Sequence, residues 1–422
     1  MTKTVPSTNV HRAPARSPGV RRRPALVCAY PKPLALPLPD SGTVIGRAWL
    51  ADRDLDDSEV SGQHIRIDRA GGALAVIDVD SRNGTWVSGA RVAPNEKVPL
   101  DDGAVLRIGR TLFVARDRFE GDFAPAAPVG ELVGPFGLRT VARSIDGLAE
   151  AQPTNVLLEG ETGVGKELTA RALAAALGRA EPFAAVNVAG IAGGVFESQM
   201  FGHVAGAFSG AGSASAGVVV AHDGGTLFLD EIGELELPLQ AKLLRLLDNR
   251  EVMPVGAQRP VDVDIVVIAA TNRDLAAMVE QASFRRDLFT RLAMARIHIP
   301  PLRDRCEDLF SVAAALTGRA GGELLAKDVE VEAMERLLLE RWPGNVRELD
   351  ATLAAARRRD PEPGLRLWAL EELLGAGSPR QVGLTRETVE RAVDAADGNV
   401  SAAAAALGIS RGKLLRIRKK KG

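Results

Sequence analysis

A Gly-rich octet, GETGVGKE at residues 160–167, constrains the fold of this chain more than any other feature. The apolar run at 156–158 before it is typical of a buried strand, and a helical pattern of apolar residues begins just after Lys166. A GxxxxGK sequence between a strand and a helix predicts a phosphate-binding loop, because its backbone N–H groups and the helix N-terminus attract anions. We therefore expect nucleotide phosphates to be bound by Gly160, Glu161, Thr162, Gly163, Val164, Gly165, Lys166 and Glu167.

A second nucleotide feature follows downstream, where the β-type run 226–229 ends in Asp230 and Glu231. At the carboxyl end of a strand, Asp230 can hold a magnesium ion largely through water, and Glu231 can orient and deprotonate an attacking water. Glu167 occupies the position where such loops usually offer a Ser or Thr hydroxyl to the metal. The sequence therefore assigns the metal to Asp230.

The composition limits the classes of protein to which this chain can belong. The chain has 422 residues, of which 46% are hydrophobic and 25% charged, and this predicts two to four globular domains. Acidic residues are absent before Asp40 and after Asp397, so we expect any contact with a polyanion at the termini. Cys28 and Cys306 lack metal-ligand or disulfide spacing, and no apolar run is long enough to span a bilayer. The expected location is the cytoplasm, without a membrane contact.

Changes in composition and hydrophobic pattern along the chain predict seven segments. Short β-type runs separated by Gly, Asp and Asn turns indicate an all-β sandwich, and alternating strand and helix patterns indicate a parallel sheet flanked by helices. The strands expected in that sheet cover 155–159, 183–188, 226–229 and 264–269. The segments are a disordered tail (1–23), the sandwich (24–118), a linker (119–130), the α/β core (131–301), a helix-rich segment (302–375), a second linker (376–383) and a three-helix module (384–422).

The turns of the β region carry Ile45-Gly46-Arg47, Ser61-Gly62-Gln63-His64 and Ser81-Arg82-Asn83-Gly84-Thr85. This pattern resembles the forkhead-associated (FHA) domain. The resemblance implies that Arg47 and Ser61 hold a phosphothreonine phosphate, that Asn83 holds the ligand backbone and that His64 braces the site. A guanidinium and a hydroxyl suit a dianionic phosphate. Gly62 replaces a residue that is usually basic in the family, and the alternative is a sandwich kept for packing against its neighbour.

Between the two nucleotide motifs lies GAFSGA, residues 206–211. It resembles the GAFTGA signature of sigma-54-dependent transcription activators, the bacterial enhancer-binding proteins of the AAA+ class, with Ser209 in place of Thr. The resemblance implies that ATP and Mg²⁺ are the ligands and that the protein forms a ring, taken as a hexamer. Phe208 is suited to anchor on a partner. The implied contact with sigma-54 consists of Gly206, Ala207, Phe208, Ser209, Gly210 and Ala211.

The same resemblance assigns further catalytic roles. Asn187 corresponds to the switch residue that hydrogen-bonds the catalytic carboxylate, here Glu231. An arginine supplied by a neighbouring subunit neutralises charge in the transition state of phosphoryl transfer. The other residues of this set are the first sensor Asn272, the arginine fingers Arg285 and Arg291, and the second sensor Arg347 in the helical lid.

The last segment, 384–422, has three short helical patterns, with a Gly398-Asn399 turn and Ser410 as the N-cap of the third. Such spacing predicts a helix-turn-helix, and the segment resembles the Fis-type DNA-binding domain. Its third helix is rich in cations, which would contact phosphates and groove edges. The predicted DNA-binding residues are Ser410, Arg411, Lys413, Arg416 and Arg418.

Together these features predict a multidomain protein with an all-β FHA sandwich, an α/β AAA+ P-loop domain with a helical lid, and an all-α helix-turn-helix. The predicted function is ATP-dependent activation of sigma-54 RNA polymerase from enhancer DNA, regulated by a phosphothreonine-containing protein. One alternative is an AAA+ protein-remodelling motor, which would need neither GAFSGA nor a helix-turn-helix. The other is a DNA-bound, phosphopeptide-dependent repressor whose ATPase only sets assembly, and transcription from a sigma-54 promoter in vitro separates it from an activator.

Overall fold

The structure, a computed structural model, describes residues 22–38, 40–70, 73–121, 123–191, 193–209 and 211–375, with the isolated positions Glu390, Val393, Asn399, Val400 and Leu414. Outside these residues lie the linker predicted at 376–383, Gly210 of GAFSGA, and the predicted DNA-binding residues Ser410, Arg411, Lys413, Arg416 and Arg418. In the described part of the chain, no helix is both long and apolar enough to cross a membrane.

The first domain is a β-sandwich, as predicted. A six-stranded sheet with the order β2-β1-β10-β9-β6-β7 faces a four-stranded sheet with the order β3-β4-β5-β8. Leu26, Ile65 and Phe113 lie in the core between them. The elements are β1 (Arg22–Tyr30), β2 (Leu34–Pro37), β3 (Val44–Ile45), α1 (Arg47–Ala51), β4 (Ile65–Ala70), β5 (Ala73–Asp78), β6 (Thr85–Val87), β7 (Ala90–Arg91), β8 (Lys97–Pro99), β9 (Val105–Ile108) and β10 (Thr111–Glu120).

The edges of this domain differ from the prediction. β1 begins at Arg22, inside the predicted tail, and β10 ends at Glu120, inside the predicted linker. The linker region also packs against the sandwich, since the Phe119 ring lies 5.5 Å from the Phe123 ring and 5.8 Å from the Phe136 ring. Its Pro- and Ala-rich sequence has no periodicity, so only tertiary contacts could have revealed this packing.

The second domain contains a five-stranded parallel sheet with the order β12-β13-β16-β11-β17. Because β11 lies inside the sheet, the loop that follows it emerges at the carboxyl edge beside the end of β16, and β13 ends at the same edge. The strands are β11 (Asn155–Glu159), β12 (Phe183–Asn187), β13 (Thr226–Asp230), β16 (Val266–Thr271) and β17 (Arg296–His298), with a hairpin of β14 (Glu251–Val252) and β15 (Val261–Asp262). The helices are α2 (Arg139–Ala151), α3 (Lys166–Ala176), α4 (Gly193–Phe201), α5 (Gly217–Ala221), α6 (Leu237–Asn249), α7 (Leu275–Glu280) and α8 (Arg286–Leu292).

A helical lid follows the sheet, and it starts with a 3-10 helix at Leu302–Asp308. Its α-helices are α9 (Leu309–Arg319), α10 (Val331–Leu339), α11 (Asn345–Arg359) and α12 (Leu367–Leu374). Leu337, Leu349 and Leu370 are fully buried where these helices meet. The segment predicted to be helix-rich, 302–375, is helical in the structure and lies beyond the sheet in the chain.

The β-sandwich is docked on the lid. A single apolar cluster contains lid residues together with Ala29, Tyr30, Val105, Leu112 and Val114 of the sandwich. The Tyr30 hydroxyl donates a hydrogen bond to the Ala326 carbonyl (2.5 Å), and its ring meets the Phe310 ring edge-on at 5.2 Å.

Two arginines of the sandwich form ion pairs across the same interface. The Arg107 guanidinium pairs with Glu332 (2.6 Å) and with the buried Glu335 (3.0 Å). Arg116 pairs with the buried Glu307, and this carboxylate raises the pKa of Arg116 despite burial. The two domains thus share a core and buried charge pairs.

Candidate active site and binding surfaces

The loop after β11 has the backbone that a phosphate-binding loop requires. Gly163 (φ +80°) and Gly165 (φ +106°) lie in the left-handed region, which side chains with a Cβ rarely adopt. Gly165 is the N-cap of α3, so the helix begins at Lys166 and its N-terminus points into the loop. The glycines of the loop therefore permit the backbone shape of this anion site.

Lys166 and Glu231 are brought together by the fold. The Lys166 side chain is only 6% exposed, and its Nζ lies 3.9 Å from Glu231 Oε1 and 3.3 Å from the Gly160 carbonyl. These are long contacts for an ammonium, so the buried cation has capacity left for an anion. Glu231 itself has φ +57°, a costly conformation for Glu that is typical of functional sites.

Asp230 ends β13 and accepts a hydrogen bond from the Glu231 backbone N–H (3.0 Å). The described residues contain no cluster of three or more His, Cys, Asp or Glu side chains. Magnesium needs only one or two carboxylates when substrate phosphates and water complete its shell, so a lone Asp230 fits this metal. Glu167 pairs with Arg171 (2.8 Å) on the surface of α3, away from such a role.

Two asparagines flank the site. Asn272, just after β16, donates a hydrogen bond from Nδ2 to Thr162 Oγ1 (3.0 Å), which places the predicted first sensor against the phosphate loop. Asn187 lies opposite Asp230 in the strand register. Asn187 Oδ1 accepts the Ala189 N–H (3.0 Å) and caps a 3-10 turn. The expected Asn187–Glu231 hydrogen bond, in which Nδ2 would be the donor, is not formed within the described residues.

The predicted arginines lie in three different environments. Arg285 forms a bidentate ion pair with Asp287, and Arg291 pairs with Asp248 of α6, so both are exposed and make no ion pair with the phosphate loop within the described chain. Arg347 is exposed on the first turn of α11. A Cβ placed on Gly163 would lie 3.1 Å from the Arg347 Cβ, so this lid arginine does border the loop.

The sequence did not identify the apolar crevice beside the loop. Its volume is only about 40 Å³, so a purine could enter only if the lid or its side chains moved. The crevice brings together the segment before α2, the start of α3 and the lid, which no local pattern links. Its apolar lining includes Leu132, Val133, Leu138, Val164, Leu168 and Val346.

The GAFSGA segment forms a short, hydrogen-bonded loop between α4 and α5. The Gly206 N–H bonds the Ala211 carbonyl (2.8 Å), and the Ala211 N–H bonds the Phe208 carbonyl (3.0 Å). Phe208 is 47% exposed, with its ring 5.1 Å from the His203 ring. His203 is held in turn by Ser198 Oγ (2.8 Å). The loop is thus held by hydrogen bonds, and it exposes the Phe208 side chain.

The four predicted phosphothreonine-site residues lie close together at one end of the sandwich. Arg47 donates from Nε to the Val60 carbonyl and from Nη2 to the Ser58 carbonyl (both 3.0 Å). Asn83 donates to the Glu59 carbonyl (2.6 Å). The loop 58–61 thus fixes both side chains at the surface.

Ser61 and His64 complete this group. His64 is fully buried, and its Nδ1 accepts the Ser61 N–H (3.0 Å), so its Nε2 donates to the Gly84 carbonyl (3.0 Å). Burial lowers the pKa of His64, which keeps it neutral in this bracing role. A Cβ on Gly62 would meet nothing within 4 Å, so the position can accept a side chain.

Two stretches of the chain match known family models. Residues 137–298 match the family model described as the sigma-54 interaction domain, and this match contains the phosphate loop, Glu231 and GAFSGA. This stretch of the chain is similar to the sigma-54 interaction domain. Residues 43–109 match the FHA domain, a range that includes Arg47, Ser61, His64 and Asn83.

Curated relatives are similar to this chain over about 250 residues. The regulatory protein LuxO of Vibrio cholerae is 44% identical over 256 residues, which cover 58% of this chain and 48% of LuxO. The DNA-binding transcriptional regulator NtrC of Klebsiella pneumoniae is 41% identical over 260 residues, which cover 60% of this chain and 55% of NtrC. The chain thus spans about half the length of these curated relatives. The crystal structure of NtrX from Brucella abortus in complex with ATP is similar, with a TM-score of 0.51, 28% identity and 69% coverage of each chain.

Proposed function

We propose that this chain is an ATP-hydrolysing activator of sigma-54 RNA polymerase, controlled through its FHA domain. The observation that carries the proposal is the approach of Lys166 to Glu231 at the carboxyl edge of the sheet, within a sigma-54 interaction domain. Lys166 binds the terminal phosphates, and Glu231 orients and deprotonates water. ATP would supply the phosphoryl group, which passes to that water with ADP as the leaving group, and Asp230 would hold Mg²⁺, which would neutralise charge on the phosphates.

The remaining residues of the site position the nucleotide. Asn272 lies against the phosphate loop and senses the terminal phosphate, and Arg347 does so from the lid. Arg285 and Arg291 are free to leave their surface ion pairs, which are weak in water, and to reach the site of a neighbouring subunit. The proposed assembly is therefore a ring, taken as a hexamer.

The output surface is Phe208. An exposed aromatic on an anchored loop, whose small residues carry neither charge nor metal ligand, suits contact with sigma-54. The proposed DNA contacts are those of the C-terminal helix-turn-helix with enhancer DNA. A phosphothreonine-containing protein would bind at Arg47, Ser61 and Asn83 and act on the motor through the docked lid.

The test compares three variants of the full-length protein. We expect Lys166→Ala to lose nucleotide binding and Glu231→Gln to bind ATP without hydrolysing it, because one residue contacts phosphate and the other handles water. Phe208→Ala should keep ATPase activity while transcription from a sigma-54 promoter falls to background. Trp368→Ala is the matched control, since Trp368 is an aromatic of equal exposure (48%) on the lid.

Three results would contradict the proposal. Equal loss of nucleotide affinity in Lys166→Ala and Glu231→Gln would overturn the division of roles. Normal transcription by Phe208→Ala would remove the proposed output surface. ATPase activity without any sigma-54-dependent transcription by the wild type would favour the remodelling motor or the repressor.

A further inference from the structure

Three consecutive residues of the phosphate loop are held by the lid. The Glu161 carboxylate forms a bidentate ion pair with Arg303, with Nη1–Oε2 at 2.7 Å and Nη2–Oε1 at 2.5 Å. Asn345 Nδ2 donates to Glu161 Oε2 (3.1 Å) and to the Thr162 carbonyl (3.0 Å). The Val346 N–H donates to the Gly163 carbonyl (3.0 Å). We call Glu161, Arg303 and Asn345 the lid clamp.

Asn345 is committed to this contact by its own geometry. It is completely buried, and its Oδ1 accepts the Leu302 N–H (2.8 Å) while Nδ2 donates twice, so both ends of the amide are used. Its φ of +54° is in the left-handed region, which Asn tolerates better than other residues with a side chain. Aspartate would lack the donor, and leucine would lack every hydrogen bond.

The clamp fixes the direction of phosphate-binding groups. A trans peptide is planar, so its C=O and N–H point in opposite directions. When Asn345 and Val346 hold the carbonyls of Thr162 and Gly163 from the lid side, the next N–H groups, those of Gly163 and Val164, must point away from the lid. Backbone N–H groups of this loop are the ones that cradle phosphates.

The lid backbone and the phosphate loop pack closely at Gly163. A Cβ on Gly163 would lie 2.2 Å from the Gly344 carbonyl oxygen, so the lid backbone rests directly on the loop. Arg303 is a bidentate partner of the kind that gives geometric specificity as well as attraction. Because Asn345 begins α11, the helix that carries Arg347, the clamp ties the start of this helix to the loop.

We infer that Arg303 and Asn345 are positioning residues for the nucleotide reaction, which act through Glu161 and the carbonyl of Thr162 to hold the phosphate loop in its binding shape. The inference rests on the proposed ATPase function. Neither residue is assigned to touch ATP. The effect is on the affinity for the phosphates, which the loop contacts in the substrate complex and in the transition state alike.

The test is Asn345→Gly in the full-length protein. Glycine keeps the left-handed backbone and removes the side-chain hydrogen bonds. With about 1 kcal/mol for each of the two hydrogen bonds to the loop, we expect KM for ATP to rise roughly ten- to thirty-fold, with kcat within about threefold of the wild type. Affinity for a fluorescent ADP analogue should fall by the same factor. Asn95→Gly is the matched control, because Asn95 also has a positive φ (+61°) but lies exposed in the FHA domain.

A role in folding alone would give a different pattern. Loss of folded protein lowers the number of active sites, so apparent kcat would fall at unchanged KM, and that result would overturn the inference. Glu161→Gln and Arg303→Met should each raise KM, and the double variant should raise it by less than the product of the two effects. Independent, multiplying effects would also contradict the clamp. If the wild type neither binds nor hydrolyses ATP, the proposed function fails instead.

Discussion

Replacing Arg107 tests whether the FHA domain is truly fixed to the lid. The Arg107 side chain is 9% exposed and pairs with Glu335, which is 8% exposed, and with Glu332, which is 50% exposed. Burial is the main cause of the raised pKa of Glu335, and Arg107 opposes it. Removing one partner of a buried ion pair costs about 3–5 kcal/mol, because the other charge is left buried. Arg107→Met keeps most of the apolar stem and removes only the charge.

In Arg107→Met, the charged Glu335 carboxylate avoids this cost if the sandwich separates from the lid, because water then reaches it. The cost of breaking the ion pair should therefore appear as separation of the sandwich from the lid. About 3 kcal/mol corresponds to a shift of roughly 150-fold in the docking equilibrium. Tyr30 reports on it, because it is the single tyrosine of the chain, is 1% exposed and bonds lid carbonyls. We expect nitration of Tyr30 by tetranitromethane, followed at 428 nm, to accelerate roughly a hundredfold in Arg107→Met.

Two comparisons make this result specific. Arg66→Met removes an arginine that is 43% exposed on the other sheet, where it pairs loosely with Asp68 at 3.6 Å, and should leave the nitration rate unchanged. Arg107→Met combined with Glu335→Leu removes both charges and should return the rate towards that of the wild type. Equal nitration of Arg107→Met and Arg66→Met would refute the reasoning, as would wild-type Tyr30 that reacts as fast as in denatured protein.

Two further predictions concern Glu335 and the phosphothreonine site. Because the folded-state pKa of Glu335 is raised above its ordinary 4.5, its charged form destabilises the fold, so wild-type stability falls as pH rises through that raised pKa. In urea unfolding, Glu335→Gln should lack this fall, so its stability relative to the wild type should rise as pH rises above 4.5, whatever constant cost comes from leaving Arg107 with Glu332 alone; a pH-independent difference would contradict this. At the other end of the sandwich, Gly62→Lys should tighten binding of a phosphothreonine peptide in calorimetry, because the space is open and the charge favourable. Gly46→Ala should abolish binding, since its Cβ would lie 1.9 Å from the Gly62 carbonyl oxygen; unchanged affinity in both variants would place the peptide elsewhere.

Much of the fold was readable from local sequence. The expected strand at 155–159 coincides with β11, and the ends of β12, β13 and β16 differ from prediction by one or two residues. Buried parallel strands are continuous apolar runs, so hydrophobicity alone marks them. The three-residue strand β17 was not among the expected strands of the sheet, because so short a run carries no periodicity.

In the candidate site, too, the features found from the sequence are the local ones. The phosphate loop and the Asp230-Glu231 pair were found because each is a contiguous motif whose backbone conformation depends on its own glycines and strand end. The hydrogen bond expected between Asn187 and Glu231 stays a prediction, because a resemblance assigns a role without fixing the side-chain partner, and Asn187 Oδ1 here caps its own turn.

What the sequence by itself determined is the set of local motifs, because residues close in the chain impose their own backbone geometry. Only the tertiary structure decided how those motifs meet. Glu161 lies 142 residues from Arg303 and 184 from Asn345, and Arg107 lies 225 residues from Glu332. Taken alone, each of these is an ordinary charged or polar residue. Their partners depend on the docking of the sandwich on the lid and of the lid on the loop, which is stabilised by burial of apolar surface from all parts of the chain at once.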